Sequence, residues 1–317
     1  TTTPWLTERH GYDPTYITGA STVVTGTVET GQYNAGHESS KTSDINIYAG
    51  KYLTKDGNPN TAVESYIEAA NSEIDSETGT IIANKNAVAQ IPNKGAYDTL
   101  KAALEAAEDG DTVTLLKNVT IDTAEASAAI DAGVTLVVPS GITFKVSETG
   151  AAGLLNSKGK VEVNAGGIVS LPTAEGSNEN WIGNSDTDRI NLESGTIVSD
   201  FAKGTLTLTT GSKASVPAGQ TYYLHLTSDK PISGVIEDGA EFIVNGIFKA
   251  VAGSHITIEE GGIFTVAEKG TYEERTNTTE GTINVKGTAY IFIKAANDTV
   301  EVGGQAVLGR QLGATTP

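Results

Sequence analysis

One pattern recurs through the C-terminal two thirds of the chain: two apolar residues flank a single polar one, then comes a glycine within three positions, then a second alternating run. It occurs at Val161-Glu162-Val163 with Gly166, Ile190-Asn191-Leu192 with Gly195, and Leu206-Thr207-Leu208 with Gly211. It returns at Ile256-Thr257-Ile258 with Gly261, Ile283-Asn284-Val285 with Gly287, and Val300-Glu301-Val302 with Gly303. Alternation with period two puts the apolar set on one side of a strand, and glycine admits corner conformations that other residues resist. Each copy therefore reads as strand, corner and strand. Successive corner glycines lie 29, 16, 50, 26 and 16 residues apart, and a weaker copy from Ile236 to Val244 with Gly239 divides the longest gap into 28 and 22. Units of this length that each leave an apolar side uncovered stack on one another as a solenoid, with insertions between turns. The competing architecture is an antiparallel β-sandwich with glycine-rich hairpins.

Composition points the same way. Ile, Val and Thr supply 92 of the 317 residues, about 29 %, a choice that suits strands better than helices. With 21 basic and 39 acidic side chains the net charge is −18, which disfavours nucleic acid, because phosphate binding needs clustered Lys and Arg. The absence of Cys removes disulfides, thiolate metal sites and thiol nucleophiles. A chain without Met that begins Thr1-Thr2-Thr3-Pro4 reads as processed, after removal of a signal peptide, which places it outside the cell or on its surface. No apolar run approaches the roughly 20 residues that a membrane-spanning helix needs.

Aromatic usage divides the chain. Seven of the eleven Tyr lie at or before Tyr97, whereas all six Phe fall between Phe144 and Phe292. The break falls at Ile91-Pro92-Asn93-Lys94-Gly95, giving a mixed β region over residues 1–95 and a solenoid over 96–317. The first region has strand-like stretches at Ser21 to Glu29 and Asp44 to Leu53, and Val63, Ile67, Ala70 and Ile74 share one helical stripe. From Asp98, a helix cap, Leu100, Ala103, Leu104 and Ala107 form one apolar helical face that Gly110 stops, and Asp111 opens a strand with Val113 and Leu115 on one side. This segment resembles the start of the pectin-lyase-like right-handed parallel β-helix superfamily, where a short amphipathic helix ending in Ala-x-x-Gly-Asp-x-Val covers the first turn. Ala107, Gly110, Asp111 and Val113 match it, and Lys117-Asn118-Val119-Thr120 stands where the family carries Gly-x-Tyr. The resemblance implies a mainly β, right-handed parallel β-helix with a capping helix, of the surface-protein type rather than the enzymes.

Enzymes of that superfamily cut acidic polysaccharides with clustered carboxylates, bound calcium and an Arg or Lys base, or with an Asp pair. The nearest local counterpart is Asn184-Ser185-Asp186-Thr187-Asp188-Arg189, in the long insertion Pro172 to Arg189 beside Trp181. Oxygens of Asn184, Asp186 and Asp188 at alternate positions suit a calcium ion, and Arg189 suits a substrate carboxylate. Asp56, Asn58 and Asn60 have the same spacing, in a stretch that also carries every mark of a turn. His10, His37, His225 and His255 show no metal-ligand spacing, and neither a nucleophile elbow nor a phosphate-binding glycine loop is present. Trp181, Tyr222 and Tyr223 are candidates for stacking on sugar rings, against the plainer role of filling a core.

The resulting expectation is a secreted structural protein, not an enzyme: a subunit of an extracellular filament or surface layer whose partners are copies of itself. Its assembly segment is Ser21, Val23, Val24, Thr25, Thr27 and Val28, a Thr/Val alternation suited to strand addition. The alternative is a polysaccharide-binding adhesin or a polysaccharide lyase or hydrolase of the pectin-lyase type.

Overall fold

The computed structural model describes residues 15–17, 21–26, 45–68, 71–92, 94–124, 126, 128–147, 149–154, 156–172, 180–184, 188–224, 232–251, 254–267, 269–275, 282–285, 288–293, 299–302 and 305–310. The chain forms two compact units, Thr1–Asp98 and Thr99–Pro317. Among the described residues no helix is long and apolar enough to cross a membrane.

In the first unit, strands Thr15–Ile17 and Val23–Thr25 lie parallel to Ile45–Ile47 and Lys51–Leu53, so two strand-corner-strand rungs stack on each other. Ile47, Tyr52, Val63 and Ile74 form the buried cluster beneath them, with Val24, Ile45 and Ile67 packed against it. The Tyr52 hydroxyl donates to the Ala49 carbonyl at 3.0 Å, and burial raises its pKa to about 12. The helix expected on the stripe from Val63 to Ile74 is absent: Thr61–Tyr66 is a single 3-10 segment and Ser72–Ile74 is a strand paired with Ile81–Ala83. Val63 and Ile74 are both buried, so the apolar spacing was met by a tight turn followed by a strand; Ala70 lies outside the described residues. Asn71 adopts a φ of 56°, a left-handed conformation that breaks any continuous helix.

The hairpin 72–74/81–83 turns on Asp75, whose Oδ1 accepts from the backbone N–H of Thr78 at 2.7 Å and of Glu77 at 2.8 Å. These bonds stabilise the ionised form and hold its carboxyl below the ordinary 3.8. A depressed folded pKa contributes stability that is present above the unfolded value and is lost as pH falls through the folded one. Thermal melts of the wild type from pH 5 down to pH 2 are therefore expected to show an acid loss that shrinks in Asp75→Asn; equal acid limbs would remove this role.

The second unit is a β-solenoid of about eight turns. It opens with the helix Leu100–Ala106, whose Leu100, Ala103 and Leu104 are buried. Its cap is Thr99, not Asp98: Thr99 Oγ1 accepts from Ala102 N at 3.1 Å. Asp111 Oδ2 accepts from Glu108 N at 2.7 Å and so ties the turn that delivers the chain into strand Thr112–Leu115. One sheet stacks strands 112–115, 135–138, 160–164, 196–200, 205–208, 233–236, 255–258, 282–285 and 299–302. A second stacks 119–121, 143–146, 168–171, 180–183, 190–194, 213–216, 241–244, 263–266, 288–293 and 305–310, and a third, shorter one stacks 221–224, 247–251 and 271–275.

Register aligns the alternation from turn to turn. Val138, Val163, Ile197, Leu208, Ile236, Ile258, Val285 and Val302 occupy one continuous row. Val163 and Ile258 are fully buried, while Glu162 is half-buried on the other side, as the alternation required. Phe242, Phe248 and Phe264 fill the interior of the wider turns, with Phe242 stacked on Phe264 at 6.0 Å. The corners turn on glycines such as Gly166 and Gly261, at φ +86° and +83°, a region costly for any side chain. Gly195, Gly211 and Gly239 behave alike, and Gly287 and Gly303 lie outside the described residues.

Gly234 interrupts an interior row between Leu206 and Ile256, and an apolar void opens there against Leu224, Phe242 and Phe248. A Cβ added at Gly234 would meet Leu224 Cδ2 at 3.5 Å and Ile256 Cγ1 at 3.7 Å, ordinary contact distances. Gly234→Ala is therefore expected to stabilise the solenoid by roughly 0.5–1 kcal/mol, from lower unfolded-chain entropy and a better filled core. A denaturation midpoint that fails to rise would contradict it.

Candidate functional site

Residues 180–200 break the parallel winding. Strand Asn180–Gly183 runs antiparallel to 168–171 and parallel to 190–194, and 190–194 runs antiparallel to 213–216. Strand Thr196–Asp200 is antiparallel to both of its neighbours, 160–164 and 205–208. This counter-wound turn still keeps Ile190, Leu192 and Ile197 inside, so the apolar rows pass through it without a gap. It also gathers buried polar side chains, those of Ser170, Asn180, Asp188, Ser199, Asp200 and Ser212.

The candidate loop lies here. Asn184 is exposed, and its amide, oriented to donate, meets the Leu192 and Gly183 carbonyls and Asn191 Oδ1, so it fastens the loop to the neighbouring strand. Asp188 is 2 % exposed, with its carboxylate directly against Gly183, where an added Cβ would collide with Oδ2. Asp186 lies outside the described residues. Arg189 is half-buried, and its Nη1 is enclosed without a hydrogen-bond acceptor among the described residues. Trp181 is half-buried, and Lys145 Nζ sits 5.1 Å from its ring centroid, a cation–π pair that the sequence spacing of 36 residues concealed.

Asp56, Asn58 and Asn60 form a turn. Thr54 N donates to the Asn58 carbonyl at 2.7 Å, Asn58 N to Thr54 Oγ1 at 3.2 Å, and Gly57 N to the Thr54 carbonyl at 3.0 Å. Asp56 and Asn58 point to solvent, whereas the buried Asn60 donates Nδ2 to the Gly26 carbonyl at 2.9 Å. Asn60 thereby secures the edge rung. Among the described residues no group of three or more His, Cys, Asp and Glu side chains is placed to hold a metal ion.

The two tyrosines part company. Tyr222 is 2 % exposed and stacks on Phe248 at 5.9 Å, so it is a core residue and the expectation that it meets sugar is corrected. Burial raises its hydroxyl pKa far above the ordinary value. Tyr223, the next residue along the strand, faces outward with Lys249 Nζ 5.7 Å from its ring centroid. Asp200, which the sequence reading passed over, is 6 % exposed, accepts from Lys203 N at 3.0 Å and faces Lys160 Nζ at 3.9 Å. Only the antiparallel pairing of 160–164 with 196–200 brings that Lys and Asp opposite each other.

The assembly segment is part of the first unit's outer rung rather than a free arm. Val23, Val24 and Thr25 pair with Lys51, Tyr52 and Leu53, Ser21 is exposed, and Thr27 and Val28 lie outside the described residues. Val23 is 61 % exposed. In the second unit, among the described residues, strand 299–302 pairs only with 282–285 and strand 305–310 only with 288–293. Comparison with protein-family models, with curated proteins and with solved structures returned no match.

Proposed function

We propose that the protein is a secreted structural subunit of the cell surface, without catalytic activity, whose solenoids join head to tail into a filament or layer. The observation that supports this best is the last described turn, where strands 299–302 and 305–310 each pair with one neighbour alone among the described residues. Strand edges template another strand unless something covers them, and main-chain hydrogen bonds then supply affinity while alternating side chains set register. A contact between different ends of two copies, repeated without closing, makes a filament. The net charge of −18 keeps the flanks of such rods apart, so that growth favours the ends. Kinship with the pectin-lyase-like superfamily is part of the same reading, carried by the helix 100–106 and the Asp111 turn.

A polysaccharide-binding role is the second reading, and the half-buried Trp181 with Lys145 over its ring favours it. The test is sedimentation and electron microscopy of the purified chain over a concentration series. Rods or fibres that lengthen with concentration are expected; a monomer at every concentration would overturn the assembly reading, and retention on an acidic polysaccharide that Trp181→Ala abolishes would favour the second.

A further inference from the structure

We infer that the interior of the solenoid beside Gly234 is a binding site for one small apolar gas molecule of the size of dioxygen. The site is independent of how copies assemble. It arises from one missing side chain: Leu206, Gly234 and Ile256 follow one another in an interior row, and the middle residue contributes nothing to it. The void that results measures about 30 Å³, bounded on the second sheet by Phe242 and Phe264 and on the third by Leu224 and Phe248.

The surroundings cannot close over it. Strand ladders hold Leu206 and Ile256 one strand spacing to either side of Gly234. Phe242 packs at 5.3 Å on Phe248 and at 6.0 Å on Phe264, contacts that it would lose by turning into the gap. Exposure locates the gap independently. Leu206 and Phe242 keep 7 % and 6 % of their surface open although both face inward, whereas Val138, Val163 and Ile258 of the same interior keep 0 %.

Water is excluded by chemistry rather than by size. One water needs roughly 10–15 Å³, but it also needs polar partners. Every side chain around the void is apolar, and the backbone groups of strands 205–208, 233–236 and 255–258 are committed to their parallel ladders. An occupant must therefore do without hydrogen bonds. Size sets the other limit, since a void lined in this way takes benzene when it reaches about 150 Å³. A monatomic or diatomic gas fits here, and a ring or an acyl chain does not. Dispersion contacts with the enclosing rings and methyl groups, individually small, supply the affinity.

The test is methyl NMR of the full-length chain, labelled at Leu, Ile and Val and kept dilute enough to stay monomeric, under dioxygen and then under nitrogen. Dioxygen is paramagnetic and speeds the relaxation of nuclei that it touches. Methyl groups of Leu206, Leu224, Ile236 and Ile256 are expected to relax several-fold faster, while those of Val138, Val161 and Val163, equally buried but away from the void, change little. In Gly234→Ala the added methyl meets Leu224 and Ile256 across the void, and their enhancement is expected to fall to the level of the distant valines. Benzene is expected to leave all of these signals unmoved. Equal enhancement in the two sets overturns the site, because gas would then permeate the interior without preference. No enhancement in either set, or one that survives Gly234→Ala, overturns it as well, and benzene-shifted signals of Leu224 or Ile256 overturn the size assigned to the occupant.

Discussion

Val163→Asp is expected to unfold the solenoid around its third turn, with a loss of several kcal/mol, because the carboxylate would enter a fully buried apolar row without a partner. Val163 stands between Val138 and Ile197 in register, so the charge would face apolar side chains on both sides. Ionised, it forgoes hydration; protonated, it still carries polar atoms into a close-packed interior. Stability in a stacked array is close to a sum over turns and their contacts, and a broken middle turn also uncouples its neighbours. Ile258→Asp, also fully buried, is expected to behave alike. Glu162→Lys tests the opposite face: Glu162 is half-buried beside Val137 and Val198, and its replacement is expected to change stability by less than about 0.5 kcal/mol. Chemical denaturation followed by circular dichroism separates the two, and a stable Val163→Asp with a collapsed Glu162→Lys would reverse the register.

The second large effect is expected at Gly159, where the chain passes so close to the preceding turn that a methyl group has no room. A Cβ there would collide with the carbonyl oxygens of Val134 and Asp131 and with Ile130 Cγ2. Two of the three obstacles are backbone, and the Gly159 N–H is already bound to the Ile130 carbonyl at 2.8 Å, so relief requires the turns to separate. Gly159→Ala is expected to cost about 2–3 kcal/mol, the range for overpacking a tight interior. Gly141→Ala isolates the conformational part, since Gly141 has a φ of +80° but nothing within 4 Å of the added atom. It is expected to cost about 1–2 kcal/mol from the left-handed backbone alone. Equal losses in the two variants would mean that close approach at Gly159 contributes nothing.

Much of the solenoid was legible because two signals agreed along the chain. Alternation named the interior residues, from Val161 and Val163 to Ile256 and Ile258, and glycines three positions beyond them marked the corners. Helix 100–106 was legible for a local reason as well, since its apolar face and the Asp111 turn lie within a few residues, but it ends at Ala106 with Ala107 already extended, ahead of the Gly110 expected to stop it. The segment from Val63 to Ile74 misled for the converse reason. Apolar residues three and four apart satisfy a helix, but the same residues also satisfy a 3-10 turn, a left-handed Asn71 and a strand.

What the sequence determined by itself was which side chains face inward and where the chain bends, since both follow from short-range pattern and backbone sterics. Strand direction was decided only by the tertiary structure. Alternation reads the same forwards and backwards, so Ile190, Leu192 and Ile197 look like any other turn, yet strand 190–194 runs against 213–216, strand 196–200 runs against both of its neighbours and so sets Asp200 opposite Lys160, and strand 180–183 runs against 168–171 with Trp181 beside Lys145. Tyr222 and Tyr223 make the same point at the scale of one residue. Adjacent and identical, they are told apart by which side of the strand the wider turns enclose, and that depends on Phe248 in the next turn rather than on anything beside them in the chain.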